Sequence, residues 1–270
     1  MMDARIDELR RILSEIGPSL VAFSGGVDST FLLAAAHQVL GDGVLAVTAV
    51  SPSLPQEEKD EAVRLARLIG APHRLITTRE MERPGYVRND GERCYFCKQE
   101  LFEVMQAVLA GRDGRPLLYG AILDDLGDDR PGMRAAREAG VRAPLIEARL
   151  DKAAIRSLSL TLGLPTWDKP AMACLASRIP RFTPVTFAAL SLVERAEAAV
   201  RRLGYRQVRV RHYGDRASIE LDREGLRRAA RATDRVCLVE AVVQAGFREA
   251  NIDPAGYAPG GTKRPGRGAH

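Results

Sequence analysis

A glycine-rich loop between an apolar run and a helical pattern constrains the fold of this chain more than any other feature. Residues 19–23 are predicted to form a strand and residues 28–40 a helix, and the letters SGGVDS join them. A loop in this position exposes backbone N–H groups at the positive end of a helix dipole, where anions bind. No lysine follows the glycines, so the loop is not of the Walker form GxxxxGK(S/T).

The same alternation of strands and helices continues through the first 160 or so residues. Strands alternating with helices predict an α/β fold with a parallel, doubly wound sheet. Further strands are predicted at 44–50, 74–77 and 117–120, with another at Leu145 and Ile146, and helices at 3–16, 56–69, 97–109 and 151–162, the last capped by Asp151.

The pattern changes at residues 163–184, which carry four prolines and no sustained period. A smaller α+β domain is expected beyond them. Its helices are predicted at 186–203, 223–232 and 235–245, and its strands at 207–212 and 217–221. The predicted organisation is a nucleotide-binding domain at 1–165, a cysteine-bearing junction loop at 166–185, a substrate or oligomerisation domain at 186–252 and a flexible tail at 253–270.

Composition narrows the compartment and the partners. The chain of 270 residues has no apolar stretch near the roughly 18 residues of a membrane helix and no signal-peptide pattern, so a cytoplasmic protein is expected. Its four cysteines are therefore expected to be reduced, which leaves metal binding, sulfur chemistry and burial as their roles. The net charge of +5 suits a partner rich in phosphate.

The loop and the ends of the predicted strands supply a candidate ATP site. The hydroxyls of Ser24, Ser29 and Thr30 can donate to phosphate, and Asp28 can hold a Mg²⁺ ion. Ligands of such folds lie at the carboxyl ends of the strands. The acidic run that includes Asp124, Asp128 and Asp129 either helps to position ATP and magnesium or is a solvated turn. The predicted ATP-binding residues are Ser24, Gly25, Gly26, Val27, Asp28, Ser29, Thr48, Ser51, Gly120, Asp125 and Arg130.

Three cysteines form a second candidate site. Cys94 and Cys97 make a C-x-x-C pair at a helix start, where the helix dipole favours thiolates, and Cys174 lies in the junction loop. A single C-x-x-C is consistent with zinc, iron–sulfur or redox roles, and three thiolates suffice for a 4Fe-4S cluster with one open iron. Cys237 is expected to be buried in the core, and packing is the expected role of the single tryptophan, Trp167.

The loop SGGVDS resembles that of the PP-loop ATP pyrophosphatases. With RCYFCKQELF, DDLGDDRPGMRAARE and LPTWDKPAMACLASRIP, the chain resembles the LarE family, sulfur transferases of nickel-pincer nucleotide biosynthesis. The resemblance implies that carboxylates of pyridinium-3,5-biscarboxylic acid mononucleotide are adenylated by ATP and converted to thiocarboxylates. It implies catalytic roles for Asp28 and Cys174. Because Cys94, Cys97 and Cys174 are all present, the chain resembles the members of the family whose sulfur is delivered by a 4Fe-4S cluster on three cysteines. The alternative is the group in which the equivalent of Cys174 gives up its own sulfur and becomes dehydroalanine.

The second domain is expected to bind the nucleotide substrate. Arg209 and Arg211 alternate with valines on a strand, so both can grip a phosphate, although a solvated basic face would look the same. The resemblance adds Arg178, Glu197 and Glu220 as substrate-binding residues and suggests a homo-oligomer. Two segments depart from the family pattern, namely Ile122-Leu123, where a polar pair is expected, and the tail GYAPGGTKRPG.

Other functions remain open at this point. A tRNA thiolation enzyme would also use a PP-loop and cysteines, but no RNA-binding module or basic stripe with stacking aromatics is recognisable, which argues against a nucleic-acid partner. A nucleotide or metal sensor would bind ATP without releasing pyrophosphate. An amidotransferase or synthetase of the same fold would not need three cysteines. No membrane partner is expected, and the sequence does not identify the sulfide donor.

Overall fold

The chain folds into two compact units, residues 1–172 and residues 173–270. A computed structural model describes residues 4–109, 114–127, 130–171 and 173–257. None of the helices in these ranges is both long and apolar enough to cross a membrane.

The first unit is built on a parallel sheet. Its strands are β1 (Ser19–Ala22), β2 (Val44–Val50), β3 (His73–Thr77) and β4 (Leu117–Tyr119). They lie in the order β3-β2-β1-β4, and every neighbouring pair is parallel. After β1 the chain adds β2 and β3 on one side of β1, and then adds β4 on the other side of β1. The strand order therefore reverses beside β1. This confirms the predicted doubly wound α/β fold.

Helices cover both faces of this sheet. They are α1 (Ala4–Ile16), α2 (Val27–Leu40), α3 (Gln56–Ile69), α4 (Pro84–Val87), α5 (Arg93–Leu109), α6 (Pro131–Glu138), α7 (Pro144–Glu147) and α8 (Lys152–Thr161). Successive side chains of a strand point to opposite faces. Val21 accordingly belongs to a core that includes Leu13 and Phe31, whereas Leu20 packs with Phe102 and Met105.

The second unit contains a mixed three-stranded sheet. Its elements are α9 (Phe187–Arg202), β5 (Val208–Tyr213), β6 (Arg216–Leu221), α10 (Arg223–Ala229), α11 (Ala232–Gln244) and β7 (Glu249–Ile252). Strand β6 pairs antiparallel with β5 and parallel with β7. Strand β7 was not predicted, because the letters EANI carry neither an apolar run nor a clear alternation.

Two local predictions were wrong. Leu145 and Ile146 belong to α7, because Pro144 occupies a first-turn position and starts a helical turn instead of a strand. Cys237 is exposed, because α11 directs the side chain of Leu238 into the core and leaves Cys237 on its outer side. Trp167 keeps 40% of its surface exposed, so any packing role involves only part of its side chain.

Parts of two segments discussed above lie outside the described ranges, namely the tail and the acidic run after β4. Of the predicted tail, residues 258–270 lie outside them, whereas Tyr257 is held by a backbone hydrogen bond of 2.8 Å to Leu221 in β6. Asp128 and Asp129 of the acidic run also lie outside the described residues.

Candidate functional site

The phosphate loop connects β1 to α2 in a conformation that requires glycine. Gly25 has a φ of +69°, and a Cβ there would lie 3.2 Å from the Cα of Ala62 in α3. Gly26 caps α2, so the first N–H groups of that helix are available beyond it. The hydroxyls of Ser24 and Ser29 lie 3.1 Å apart across the loop. The loop thus has the backbone of an anion site.

Two other loop residues point inward. Val27 is 6% exposed and belongs to the core, so only its backbone is at the loop. Thr30 is fully buried, and its hydroxyl has no hydrogen-bond partner within the described residues. The expected donation from Thr30 to phosphate stays a prediction.

Gly120 brings the end of β4 against the start of α2. A Cβ on Gly120 would lie 3.0 Å from the backbone nitrogen of Ser29 and 3.1 Å from the carbonyl carbon of Asp28. The loops that follow β1 and β4 thus meet where the strand order reverses, which is the usual ligand position in open α/β sheets. The structure brings predicted residues Ser29, Asp28 and Gly120 together at this point.

Asp28 is paired with a lysine that the sequence did not single out. Lys152 Nζ donates to both carboxylate oxygens of Asp28, at 2.7 and 2.6 Å. Burial raises the pKa of Asp28, although the ammonium of Lys152 opposes that rise, and Asp125 adds to it. A carboxylate that already holds a cation with both oxygens is of the right chemical type for Mg²⁺.

The segment after β4 is organised by its carboxylates. Asp125 accepts from the backbone nitrogen of Ile122 at 3.0 Å and is paired with Arg130. Asp124 accepts from the backbone nitrogen of Lys152 at 2.9 Å, at the start of α8. Ile122 itself is 2% exposed, so its departure from the family pattern places a core residue there. The described part of this segment is a turn between β4 and α6 that is hydrogen-bonded to the start of α8.

The carboxyl end of β2 contributes Thr48 and Ser51. Thr48 Oγ1 donates to the carbonyl of Phe23 at 2.6 Å and lies 2.9 Å from His73 Nε2. Because the single hydroxyl proton goes to Phe23, His73 Nε2 carries the proton of the second bond. Ser51 pairs with the hydroxyl of Ser53 at 2.9 Å, just past the strand. Thr48 therefore ties β2 and β3 to the base of the phosphate loop.

A second lysine, Lys169, also reaches the phosphate loop. Its Nζ donates to the carbonyl oxygen of Gly25 at 3.2 Å and to Glu58 Oε2 at 2.8 Å. The segment that carries it is held from α8, where Arg156 donates to the carbonyls of Trp167 and Lys169 at 2.7 and 2.9 Å. Sequence reasoning missed Lys152, Lys169 and Glu58. The only available signal for Lys169 was its place within the motif LPTWDKP.

The cysteines are divided between the two units. Cys94 is exposed and Cys97 partly buried, and both lie in the first turns of α5. Cys174 is partly buried and belongs to the second unit. Within the described residues, no group of three His, Cys, Asp or Glu side chains is arranged to hold a metal ion. Cys94 and Cys97 are three positions apart on a helix, so they share one face.

In the second unit, Arg178 fixes the backbone at Cys174. It is 1% exposed and donates to the carbonyls of Ala173 and Cys174 at 2.6 and 3.0 Å. Its guanidinium also forms two bonds to Glu197, at 2.7 and 3.1 Å. Glu197 is fully buried and accepts from the backbone of Val210. Both residues support the local structure, and their predicted substrate contacts stay predictions.

The two arginines of β5 lie in the same cluster but in different settings. Arg211 is paired with Glu220 through bonds of 2.9 and 3.0 Å and donates to the carbonyl of Ser177. Arg209 lies over the ring of Tyr257, 4.4 Å from its centroid, and donates to its hydroxyl. Burial and the nearby charge of Arg178 lower the pKa of Arg209. The structure thus brings all five predicted substrate-binding residues into one basic cluster.

Comparison with known proteins gives three relatives, while no family model matches the chain. An uncharacterized protein of Synechocystis sp. is 42% identical over 264 residues, 98% of each chain. The pyridinium-3,5-bisthiocarboxylic acid mononucleotide synthase of Lactiplantibacillus plantarum is 35% identical over 249 residues, which are 92% of this chain and 90% of that protein. An uncharacterized protein of Methanocaldococcus jannaschii is 25% identical over 205 residues, 75% of this chain and 77% of that protein.

Proposed function

The chain belongs to the LarE family of sulfur transferases, and from this we propose an ATP-dependent conversion of carboxylates to thiocarboxylates on pyridinium-3,5-biscarboxylic acid mononucleotide. The relative from Lactiplantibacillus plantarum, whose name states the bisthiocarboxylic product, supports this substrate. The observation that carries the ATP-dependent half is the glycine loop at the reversal of strand order, with Asp28 and Gly120 beside it. Such a loop is suited to binding the pyrophosphate of ATP.

The first half-reaction is adenylation. A carboxylate oxygen of the substrate attacks the α-phosphorus of ATP, the bond to pyrophosphate breaks, and an acyl adenylate forms. The N–H groups beyond Gly26 and the hydroxyls of Ser24 and Ser29 would hold the departing pyrophosphate. Asp28 would hold Mg²⁺, which offsets the phosphate charge. Lys152 supplies a positive charge at the same carboxylate and would have to leave it for the ion to bind.

The second half-reaction transfers sulfur. A sulfur nucleophile attacks the carbonyl carbon of the adenylate, and the C–O bond to AMP breaks, so AMP leaves and a thiocarboxylate results. Cys94, Cys97 and Cys174 would hold a 4Fe-4S cluster, which supplies a sulfide when bound. Thiols are the donors that such clusters take, and Cys94 and Cys97 are accessible on one helix face. The alternative source is the sulfur of Cys174 itself.

The basic cluster of the second unit is proposed to bind the substrate phosphate. Four arginines, namely Arg178, Arg201, Arg209 and Arg211, surround two glutamates, Glu197 and Glu220, within the described residues. The cluster therefore has an excess of positive charge, as a phosphate site requires.

The resemblance to the family also leads us to propose that the protein forms a homo-oligomer.

The test is turnover with ATP and the biscarboxylated nucleotide under anaerobic conditions. We expect pyrophosphate and AMP release, a thiolated product, about four irons per chain as in one 4Fe-4S unit, and an unchanged protein mass. Asp28→Ala should abolish pyrophosphate release while leaving the iron content unchanged. Cys94→Ser should remove iron while adenylation persists.

Other outcomes point to other functions. Loss of one sulfur from Cys174 with no iron bound would favour the sacrificial route. Absence of both pyrophosphate release and thiolated product would contradict the proposal and direct the same assays to tRNA. ATP binding without any pyrophosphate release would indicate a sensor.

A further inference from the structure

Lys169 contacts the phosphate loop at its backbone instead of at the phosphate position. Its ammonium donates to the carbonyl oxygen of Gly25 at 3.2 Å and is neutralised by Glu58 at 2.8 Å. The side chains of Lys169 and Glu58 are only 16% and 15% exposed. A pair so shielded is costly to break, because either partner alone would be a poorly solvated charge. The contact is therefore a fixed part of the loop.

This bond determines the orientation of one peptide group. The peptide between Gly25 and Gly26 is planar and trans, so its carbonyl oxygen and its N–H point in opposite directions. Anchoring the oxygen on Lys169 turns the N–H of Gly26 away from Lys169. That N–H now meets Ser24 Oγ at 3.4 Å, a long bond that a phosphate oxygen can readily replace. Glycine at 25 and 26 would otherwise let this peptide rotate easily.

The lysine is itself held in place by contacts that do not involve the loop. Arg156 of α8 donates to the carbonyls of Trp167 and Lys169, and the backbone nitrogen of Lys169 donates to Thr166 at 3.0 Å. The ammonium at the far end of the Lys169 side chain is held by Glu58 of α3. The donor to Gly25 is therefore positioned before nucleotide binds.

We propose that Lys169 is a positioning residue for pyrophosphate, acting through the Gly25 carbonyl to direct the Gly26 N–H at the phosphates of ATP. The inference rests on the proposed function, since it assumes that ATP occupies this loop. A preset donor stabilises the charge that develops on departing pyrophosphate without any reorganisation of the loop. Lys169 thus affects the phosphates and not the adenosine part of the nucleotide.

The experiment compares Lys169→Met with the wild-type protein for binding of ATP and AMP by calorimetry and for pyrophosphate release. AMP lacks the β- and γ-phosphates, so its affinity should be unchanged. ATP should bind about tenfold more weakly, and kcat for pyrophosphate release should fall about a hundredfold, which is the size of loss seen when one donor to a developing negative charge is removed. Lys169→Arg retains a charged donor and should recover most of the ATP affinity.

The matched control is Lys59→Met on α3, which removes the same charge at the position after Glu58, where the ammonium donates to Gln56 at 3.5 Å. It should bind both nucleotides like the wild type. Equal ATP affinity and kcat in Lys169→Met and wild type would overturn the proposal, as would equal weakening of ATP and AMP. If Lys169→Met does not fold, Lys169→Gln replaces it, with a smaller loss for ATP alone expected and wild-type ATP affinity again overturning the proposal.

The proposed function and this inference fail in different ways. Wild-type protein that binds ATP but forms no thiolated product would contradict the proposed function, while an ATP-specific loss in Lys169→Met would still support the positioning role. Normal thiolation by Lys169→Met at wild-type ATP affinity and rate would contradict only the positioning role.

Discussion

His212 is a titratable residue that the second unit holds in a nonpolar setting. Its ring packs edge-on against Phe247, with centroids 5.7 Å apart, and its Nδ1 has no hydrogen-bond partner within the described residues. Burial lowers the pKa of His212 below its ordinary value of 6.5, while Asp215 opposes this weakly. His212 of the unfolded chain therefore binds a proton near pH 6.5, whereas His212 of the folded unit binds one only at lower pH.

We predict that the second unit loses stability as the pH falls below about 6.5, because the unfolded state then binds more protons than the folded state. Stability is full above that pH and declines until the lowered pKa of folded His212 is reached. His212→Phe should reduce this decline in melting temperature between pH 7.5 and 5.5. At pH 7.5 both proteins have an uncharged ring, so any difference there measures packing alone. An unchanged pH dependence in the variant would assign the effect to other groups.

Candidate site residues could be predicted where they belong to a local sequence motif, but not where only tertiary packing brings them to the loop. Asp28 comes shortly after one predicted strand and Gly120 ends another, and the fold brings them together because the carboxyl ends of parallel strands form one edge. Lys152 and Lys169 approach the loop from 124 and 144 positions away in the sequence. No local pattern encodes such a pairing, since it depends on where α8 and the segment after it pack.

Helix α8 is the element that organises the loop. Its first residue, Lys152, pairs with Asp28, and Arg156, one turn later, anchors the segment of Lys169. Positions four apart lie on one face of a helix, so both side chains point the same way. Asp151 caps the start of the helix, as the sequence predicted, because its side chain accepts from the backbone nitrogen of Ala154 at 2.7 Å.

We predict that Asp151→Ala lowers the free energy of unfolding by about 1 kcal/mol, because a helix N-terminus loses its side-chain acceptor. Denaturant unfolding measures the change. Asp151→Asn is the matched control, since asparagine keeps an acceptor oxygen and caps helices equally well. Equal losses in the two variants would mean that the charge of Asp151, through its 3.7 Å ion pair with Arg5, matters more than the cap.

Elements with a sustained apolar pattern were predicted closely, whereas the state of two isolated apolar residues and the buried face of one helix were not. Strand β2 and helix α3 occupy the predicted residues 44–50 and 56–69. Leu145 and Ile146 were misassigned because two apolar residues fit a buried turn as well as a strand. The error at Cys237 is a matter of phase, since the run VCLV does not reveal which of its residues faces the core.

The chain contains two compact units, and each of them buries apolar side chains. The first unit buries side chains on both faces of its parallel sheet. In the second, α9 packs on β5 and α11, and Leu190 of α9 is 1% exposed. Compact units of a protein can open in separate cooperative steps.

We predict that Leu190→Ala accelerates amide hydrogen exchange in β5 and β6 more than in β1 and β2. A buried leucine truncated to alanine costs about 2–5 kcal/mol, and the cost falls on the unit that contains the cavity. Leu33→Ala in the core of the first unit is the reciprocal control, with the opposite pattern expected. Equal acceleration in both units by either substitution would show that the chain unfolds as one block.

The close approach at Gly120 also limits how this sequence can evolve. Any side chain there would press on the backbone of Ser29 and Asp28, which cannot yield without distorting the phosphate loop. Gly127, a few residues later, has no described atom within 4 Å of an added Cβ and no positive φ, so many residues fit there. Of these two glycines in one connecting segment, the first is therefore closed to mutational drift and the second is open to it.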